Sequence, residues 1–284
     1  LLLRCFRRLI RASLAVFRHR VPGTNWYRGI RARAELGAFL RAELPKRRGG
    51  DGQDLLSRMC NARDEETGDM FDDDEIVDHI IFLLFAAHDT TTSALTAMLD
   101  ELTAAPDLLE RVAAECRALA PDDDLDPALG PHALSWDRLD ALVQVERAFR
   151  EAVRVNPPVL YVLRRTVRPC SLGGHEIPAN TPVTVMIRGS HGDPAIWTAP
   201  ERFDPDRFAS DRAEDRRHRH AWIPFGAGAH RCIGADLAMQ QAKVFCHQLF
   251  RRFHVERVSP PPTAWRRIPL PMPRDGLPLR LHPR

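Results

Sequence analysis

No two of the six cysteines, at positions 5, 60, 116, 170, 232 and 246, stand at the spacing of a disulfide framework or of a structural zinc site with its four clustered ligands. Free thiols in a reducing compartment are expected instead. Strong charge of one sign is absent as well. The 41 Lys and Arg against 38 Asp and Glu leave a net charge of +3, which implies no nucleic-acid partner. Nor is there an apolar run of bilayer length: the best candidate, residues 80–87, is followed at once by His88-Asp89-Thr90-Thr91-Thr92-Ser93. What remains is a 284-residue chain, 44% hydrophobic, with enough apolar material for a sizeable core in one or two domains.

The cysteine with the most telling surroundings is Cys232. Residues 225–234 read FGAGAHRCIG, a glycine-rich turn directly ahead of a segment in which Ile233, Leu237, Val244, Phe245, Leu249 and Phe253 recur at helical spacing. Gly226 and Gly228 permit backbone conformations closed to other residues and the close approach of a flat ligand. Amides at the helix start, with Arg231 alongside, favour a negatively charged sulfur. One soft ligand suits an axial bond to haem iron better than zinc. The plainer alternative is a buried cysteine ahead of an ordinary helix.

Two more segments carry chemistry. In the helical pattern of 143–155, Glu151 and Arg154 lie three apart and share a face, and Asn156-Pro157-Pro158 stops the helix. Alone they read as a surface ion pair of little energetic value. A longer helical pattern covers 74–105, opened by the aspartates 72–74 and closed ahead of Pro106. It places Asp89 and Thr90 just after its apolar stretch. Alone, these are a helix with a polar face.

Taken in order, the three segments resemble the cytochrome P450 haem-thiolate monooxygenases. Phe225, Gly228, Cys232 and Gly234 fall on the fixed positions of that family's cysteine-ligand loop, Glu151 and Arg154 on its Glu-x-x-Arg motif, and residues 86–91 on its oxygen-activating helix. The resemblance implies a mainly α fold with small β-sheets and haem b as cofactor. It makes Cys232 the iron ligand, Phe225 its packing neighbour, and His230 and Arg164 the propionate partners. Arg164 is preferred to the adjacent Arg165 on similarity to bacterial sterol demethylases. Asp89 and Thr90 would hold water and pass protons, with His88 pointing away from the iron. Alanine at 87, where the family usually has glycine, narrows the groove. Arg202, in Pro200-Glu201-Arg202-Phe203, would complete a buried triad with Glu151 and Arg154. Phe82, Phe85, Ala86, Val159 and Leu160 would face substrate.

The same resemblance implies an apolar, sterol- or terpenoid-like substrate, dioxygen, and a ferredoxin or flavodoxin-like reductase as electron donor. The basic run 216–220, with Arg231, would be the donor's docking face; a solvated loop is the plainer reading. Residues 172–178 and 181–187 read as a hairpin, and 274–279 as a C-terminal turn. The arginine-rich stretch 1–19 invites confusion with a transit peptide or a membrane-surface helix. The segment 21–29 resembles one that precedes a mid-chain helix in sterol- and retinoid-type members, with that helix over 30–44. The chain is therefore expected to be a single partial domain over 1–284, the N-terminal sheet and early helices lying upstream, in a soluble, cytoplasmic protein, the alternative being a membrane anchor in that upstream part. The competing expectation is a haem-binding remnant without catalysis.

Overall fold

A computed structural model describes residues 2–121 and 133–284; the acidic run 122–124, expected as a solvated loop, lies outside the described residues. The chain divides into two compact units, Leu1–Asp89 and Thr90–Arg284.

In the first unit, α1 (Leu2–Ser13) packs against α2 (Asn25–Glu43), and α3 (Leu55–Asn61) follows. The arginine-rich N-terminal stretch is a packed helix rather than a free one, burying Cys5, Phe6 and Ala12. It lies close to α2 because Gly29 has no side chain: a Cβ there would stand 2.2 Å from the Ala12 Cβ. The second helix starts earlier than residue 30. Thr24 caps it, its Oγ1 accepting the Tyr27 N–H at 3.2 Å. Ala32, Leu36, Leu40 and Leu44 meet Ile76, Val77, Ile80 and Ile81 in a common core.

The helix α4 (Asp73–Ala104) runs through both units. A capping box opens it. Asp72 Oδ1 accepts the Glu75 N–H at 2.8 Å while Glu75 Oε2 accepts the Asp72 N–H at 2.9 Å. Contrary to the sequence expectation, α4 is long and apolar enough, by length and composition, to cross a membrane, and it is the one such helix among the described residues. Its polar residues are engaged inside the protein, however. Buried Ser93 donates to the Pro271 carbonyl at 2.6 Å, and buried Asp100 accepts from Arg257 at 2.7 Å and Trp265 at 3.1 Å, and also from Thr263. These contacts tie the C-terminal half of α4 into the protein, while Phe82 and Leu84 in its apolar stretch are exposed.

In the second unit, α5 (Pro106–Ala118), α6 (Val143–Val155) and α8 (Ala235–Arg252) pack with the end of α4 around Met98, Leu102, Cys116, Phe149, Cys246 and Phe250. The N-terminus of α6 has no cap of its own; the Glu115 carboxylate on α5 accepts the Gln144 N–H at 2.8 Å and the Val145 N–H at 3.1 Å. Lys243 of α8, almost fully buried, reaches Glu146 at 2.9 Å and Asp140 at 3.3 Å.

The strands form two-stranded antiparallel sheets. Here the expected hairpin is corrected. β2 (Cys170–Leu172) turns at Gly173-Gly174 to pair with β3 (His175–Ile177), whereas β4 (Pro182–Met186) returns to β1 (Tyr161–Arg165), Arg164 opposite Val183. A short helix, α7 (Ile187–His191), follows β4 directly. At the C-terminus, β5 (Phe253–Arg257) pairs with β8 (Leu279–Pro283), and β6 (Trp265–Arg266) with β7 (Met272–Pro273).

Candidate functional site

Helical spacing brings Glu151 and Arg154 together on α6, and the fold buries both, at 0% and 1% exposure. Arg154 Nε and Nη2 donate to the two Glu151 oxygens at 2.6 and 2.8 Å. The third cation is Arg207, not Arg202. Arg207 Nε donates to Glu151 Oε1 at 2.9 Å and its side chain is fully buried, while Arg202 is exposed and contributes its carbonyl to Arg154 at 3.2 Å and to Arg207 at 3.1 Å. A one-turn 3-10 helix, Pro205–Phe208, capped by Asp204, turns Arg207 inward beside the buried Phe208.

The network continues past Arg207. Its Nη1 donates to Glu214 at 2.8 Å, and Glu214 accepts further from Arg212 at 2.8 Å and the Thr198 N–H at 3.0 Å. Burial pushes the Glu214 carboxyl up, but these donors outweigh it and hold the pKa at about 2. The guanidinium carbons of Arg154 and Arg207 stand 5.1 and 5.8 Å from the centre of the buried Trp197 ring.

The cysteine loop is joined to this scaffold just ahead of residue 225. Trp222 Nε1 donates to the Arg150 carbonyl of α6 at 3.1 Å, and the Ile223 N–H donates to His191 Nε2 at 3.0 Å. The loop then closes on itself. Gly226 N donates to Ile223 O at 3.0 Å and Cys232 N to Phe225 O at 2.8 Å, around a one-turn helix, Gly228–His230. Gly226 and Gly228 have φ of 73° and 66°, in the left-handed region, and a Cβ on Gly226 would stand 3.2 Å from the His230 carbonyl. The Phe225 ring meets Trp222 edge-on at 5.8 Å between centres.

Cys232 is exposed, and the neighbouring Ile233 is 88% exposed. Cys5, Cys60, Cys116 and Cys246 are buried, and burial pushes their thiols up, that of Cys116 to about 12. The helix beyond the loop begins at Ala235, three residues after Cys232.

One loop thus gathers Phe225, Gly228, His230, Cys232 and Gly234. Arg164 lies apart on β1, exposed, its Nη1 donating to the Leu163 carbonyl, while Arg165 donates to Asn180. Asp89 and Thr90 are neighbours on α4, and the Asp89 carboxylate lies 2.7 Å from His88 Nδ1. That contact was not foreseen from sequence, nor was the role of His191; the signal for the latter is a lone histidine in the short apolar-to-glycine segment 187–192.

The family model of the cytochrome P450s matches residues 35–276. The chain belongs to the cytochrome P450 family. Cytochrome P450 136 of Mycobacterium tuberculosis is 38% identical over 275 residues, which cover 96% of this chain and 54% of that protein. Cyclooctat-9-en-7-ol 5-monooxygenase of Streptomyces melanosporofaciens is 33% identical over 239 residues, covering 84% and 50%. Among solved structures, a retinoic acid-bound cyanobacterial P450, CYP120A1, aligns with a TM-score of 0.88 at 29% identity over 100% of this chain and 63% of its own. The chain spans about half the length of the curated relatives it matches.

P450s bind haem b through a cysteine thiolate. The loop here fits that group on two counts. Its cysteine is presented at the surface with an apolar neighbour, and the space around the Gly228 Cβ position is empty to 4 Å, which leaves main chain open to a flat macrocycle.

Proposed function

We infer that this chain carries the haem-binding portion of a monooxygenase that inserts one oxygen atom from dioxygen into an apolar molecule. The observation that supports it most is an exposed cysteine on a left-handed glycine turn, hydrogen-bonded back through His191 to a buried Glu-Arg-Arg network. Cys232 is the ligand by which haem would be held, and bound haem supplies the iron at which dioxygen is activated.

The remaining roles belong to the chain's own side chains. The closed turn from Phe225 to Cys232 fixes the sulfur's direction. Asp89 and Thr90, assigned by their place in the α4 motif, hold water and relay protons. His230 and Arg164 supply positive or donor groups to propionates. Glu151, Arg154 and Arg207 keep the scaffold rigid beneath the loop.

A terpenoid-like substrate is supported by two relatives named as a cyclooctat-9-en-7-ol 5-monooxygenase and an abscisic acid 8'-hydroxylase, and by a structural neighbour solved with retinoic acid. The residues that would face it are Phe82, Phe85, Ala86, Val159 and Leu160. Electrons come from an acidic ferredoxin or flavodoxin-like donor docking on Arg216, Arg217, His218, Arg219 and His220, all exposed, together with Arg231. Reversal of charge at Arg216 and Arg219 is expected to slow reduction and flatten its dependence on salt; unchanged rates at every ionic strength would rule out this face. Turnover of a terpenoid under isotopically labelled dioxygen, with a surrogate ferredoxin system, tests the activity: one labelled oxygen in product is expected, and haem binding without label would favour the non-catalytic remnant.

A further inference from the structure

His191 stands at the end of α7, 1% exposed, and its two hydrogen bonds define its tautomer. Nδ1 lies 3.1 Å from the Arg154 carbonyl oxygen, which only accepts, so Nδ1 carries the proton. Nε2 accepts the Ile223 N–H at 3.0 Å and so carries none. The ring is neutral, and burial pushes its pKa down to about 4. Arg154 returns the contact, its Nη1 donating to the His191 carbonyl at 2.6 Å. Arginine and histidine therefore hold each other by side chain and main chain in both directions.

The far side of the imidazole faces the cysteine loop. Ile223 is two residues ahead of Phe225; its amide is held by His191, its carbonyl accepts the Gly226 N–H at 3.0 Å, and the Phe225 carbonyl accepts the Cys232 N–H at 2.8 Å. A path of hydrogen bonds thus runs from the Glu151 carboxylate through Arg154 and His191 to the turn that presents the sulfur.

We propose that His191 is a positioning residue for Cys232, fixing the seat of the cysteine loop against α6 through its unprotonated Nε2. This rests on the haem-thiolate reading of Cys232 for its purpose, though not for its geometry. The position requires a rigid group with a donor at one end and an acceptor at the other, which the Nδ1–H imidazole supplies. An amide replaces one end only. Asparagine reproduces the donor toward Arg154 and falls short of Ile223; glutamine reaches Ile223 with an acceptor and gives up Arg154.

His191→Asn and His191→Gln each lose one of the two side-chain bonds, so a merely structural role lowers the melting temperature alike and treats the loop alike. The positioning role separates them. In the haem-free chain, backbone hydrogen exchange over residues 222–232 is expected to rise several-fold in H191N and to stay near wild type in H191Q. In the haem-loaded chain, H191N is expected to lose the thiolate-type carbon monoxide band several-fold relative to H191Q. Loop exchange in H191N equal to that of wild type overturns the proposal. The expected exchange contrast in a wild-type chain that shows no thiolate band supports the seat while overturning the haem-thiolate reading. Should H191N not fold, the imidazole nitrogen shifts of wild type decide: a proton on Nδ1 supports the proposal and a proton on Nε2 overturns it.

Discussion

Glu151 is one carboxylate between two guanidiniums, all three shut away from water. Neutralising it leaves buried Arg154 without its carboxylate and Arg207 with Glu214 alone, so Glu151→Gln is expected to cost about 3–5 kcal/mol in urea denaturation. Arg202→Ala removes a side chain that is exposed and keeps the carbonyl that does the bonding, so its effect should stay within about 0.5 kcal/mol. These two variants together decide which arginine completes the network. From sequence the pair on α6 was legible because three residues of helix fix the geometry. The partner was not, because Arg202 and Arg207 lie in one loop and only the turn begun by Pro205 shows which points inward. Glu101 offers a separate test. Burial, with Asp100 and Glu151 nearby, pushes its carboxyl from an ordinary 4.5 to about 7. The folded state then binds a proton that the unfolded chain has lost, so this residue's contribution falls as pH rises from 4.5 to about 7 and stays low above it. Glu101→Gln is expected to raise the melting temperature above pH 7 and to leave it unchanged below about 4.5.

Elements announced themselves wherever their signals are local. The Asp72–Glu75 capping box marks α4, the proline pair after Asn156 marks the end of α6, and Gly173-Gly174 marks a hairpin turn. Signals that come from elsewhere in the chain were silent: the amides opening α6 find their acceptor on α5, and β4 finds its partner across the β2–β3 hairpin. The cysteine loop is a local element whose shape depends on two glycines, and their substitution separates conformation from crowding. Gly228→Ala meets only the left-handed backbone, whereas Gly226→Ala also crowds the His230 carbonyl at 3.2 Å. Both are expected to destabilise, at about 1–3 kcal/mol for such strain, with Gly226→Ala the larger by thermal melting. Equal and negligible losses would mean that the loop is free to adopt another shape.

At the scale of the whole chain, α4 is the one helix among the described residues whose composition invites a membrane reading, while its buried Ser93 and Asp100 are tied by hydrogen bonds to other parts of the protein. Sequence marked Asp89 and Thr90 on that helix by their motif without exposing the helix's neighbours, since contacts such as Ser93 to Pro271 join positions 178 residues apart. The P450 family assignment gives these parts a common purpose, and the purpose depends on one sulfur. The most direct measurement is the carbon monoxide difference spectrum of the reduced, haem-reconstituted chain, wild type beside Cys232→Ser. A thiolate-type band in wild type that disappears in the serine variant is the result predicted; a wild type without that band, or a variant that keeps it, would contradict the assignment of Cys232 as the haem ligand.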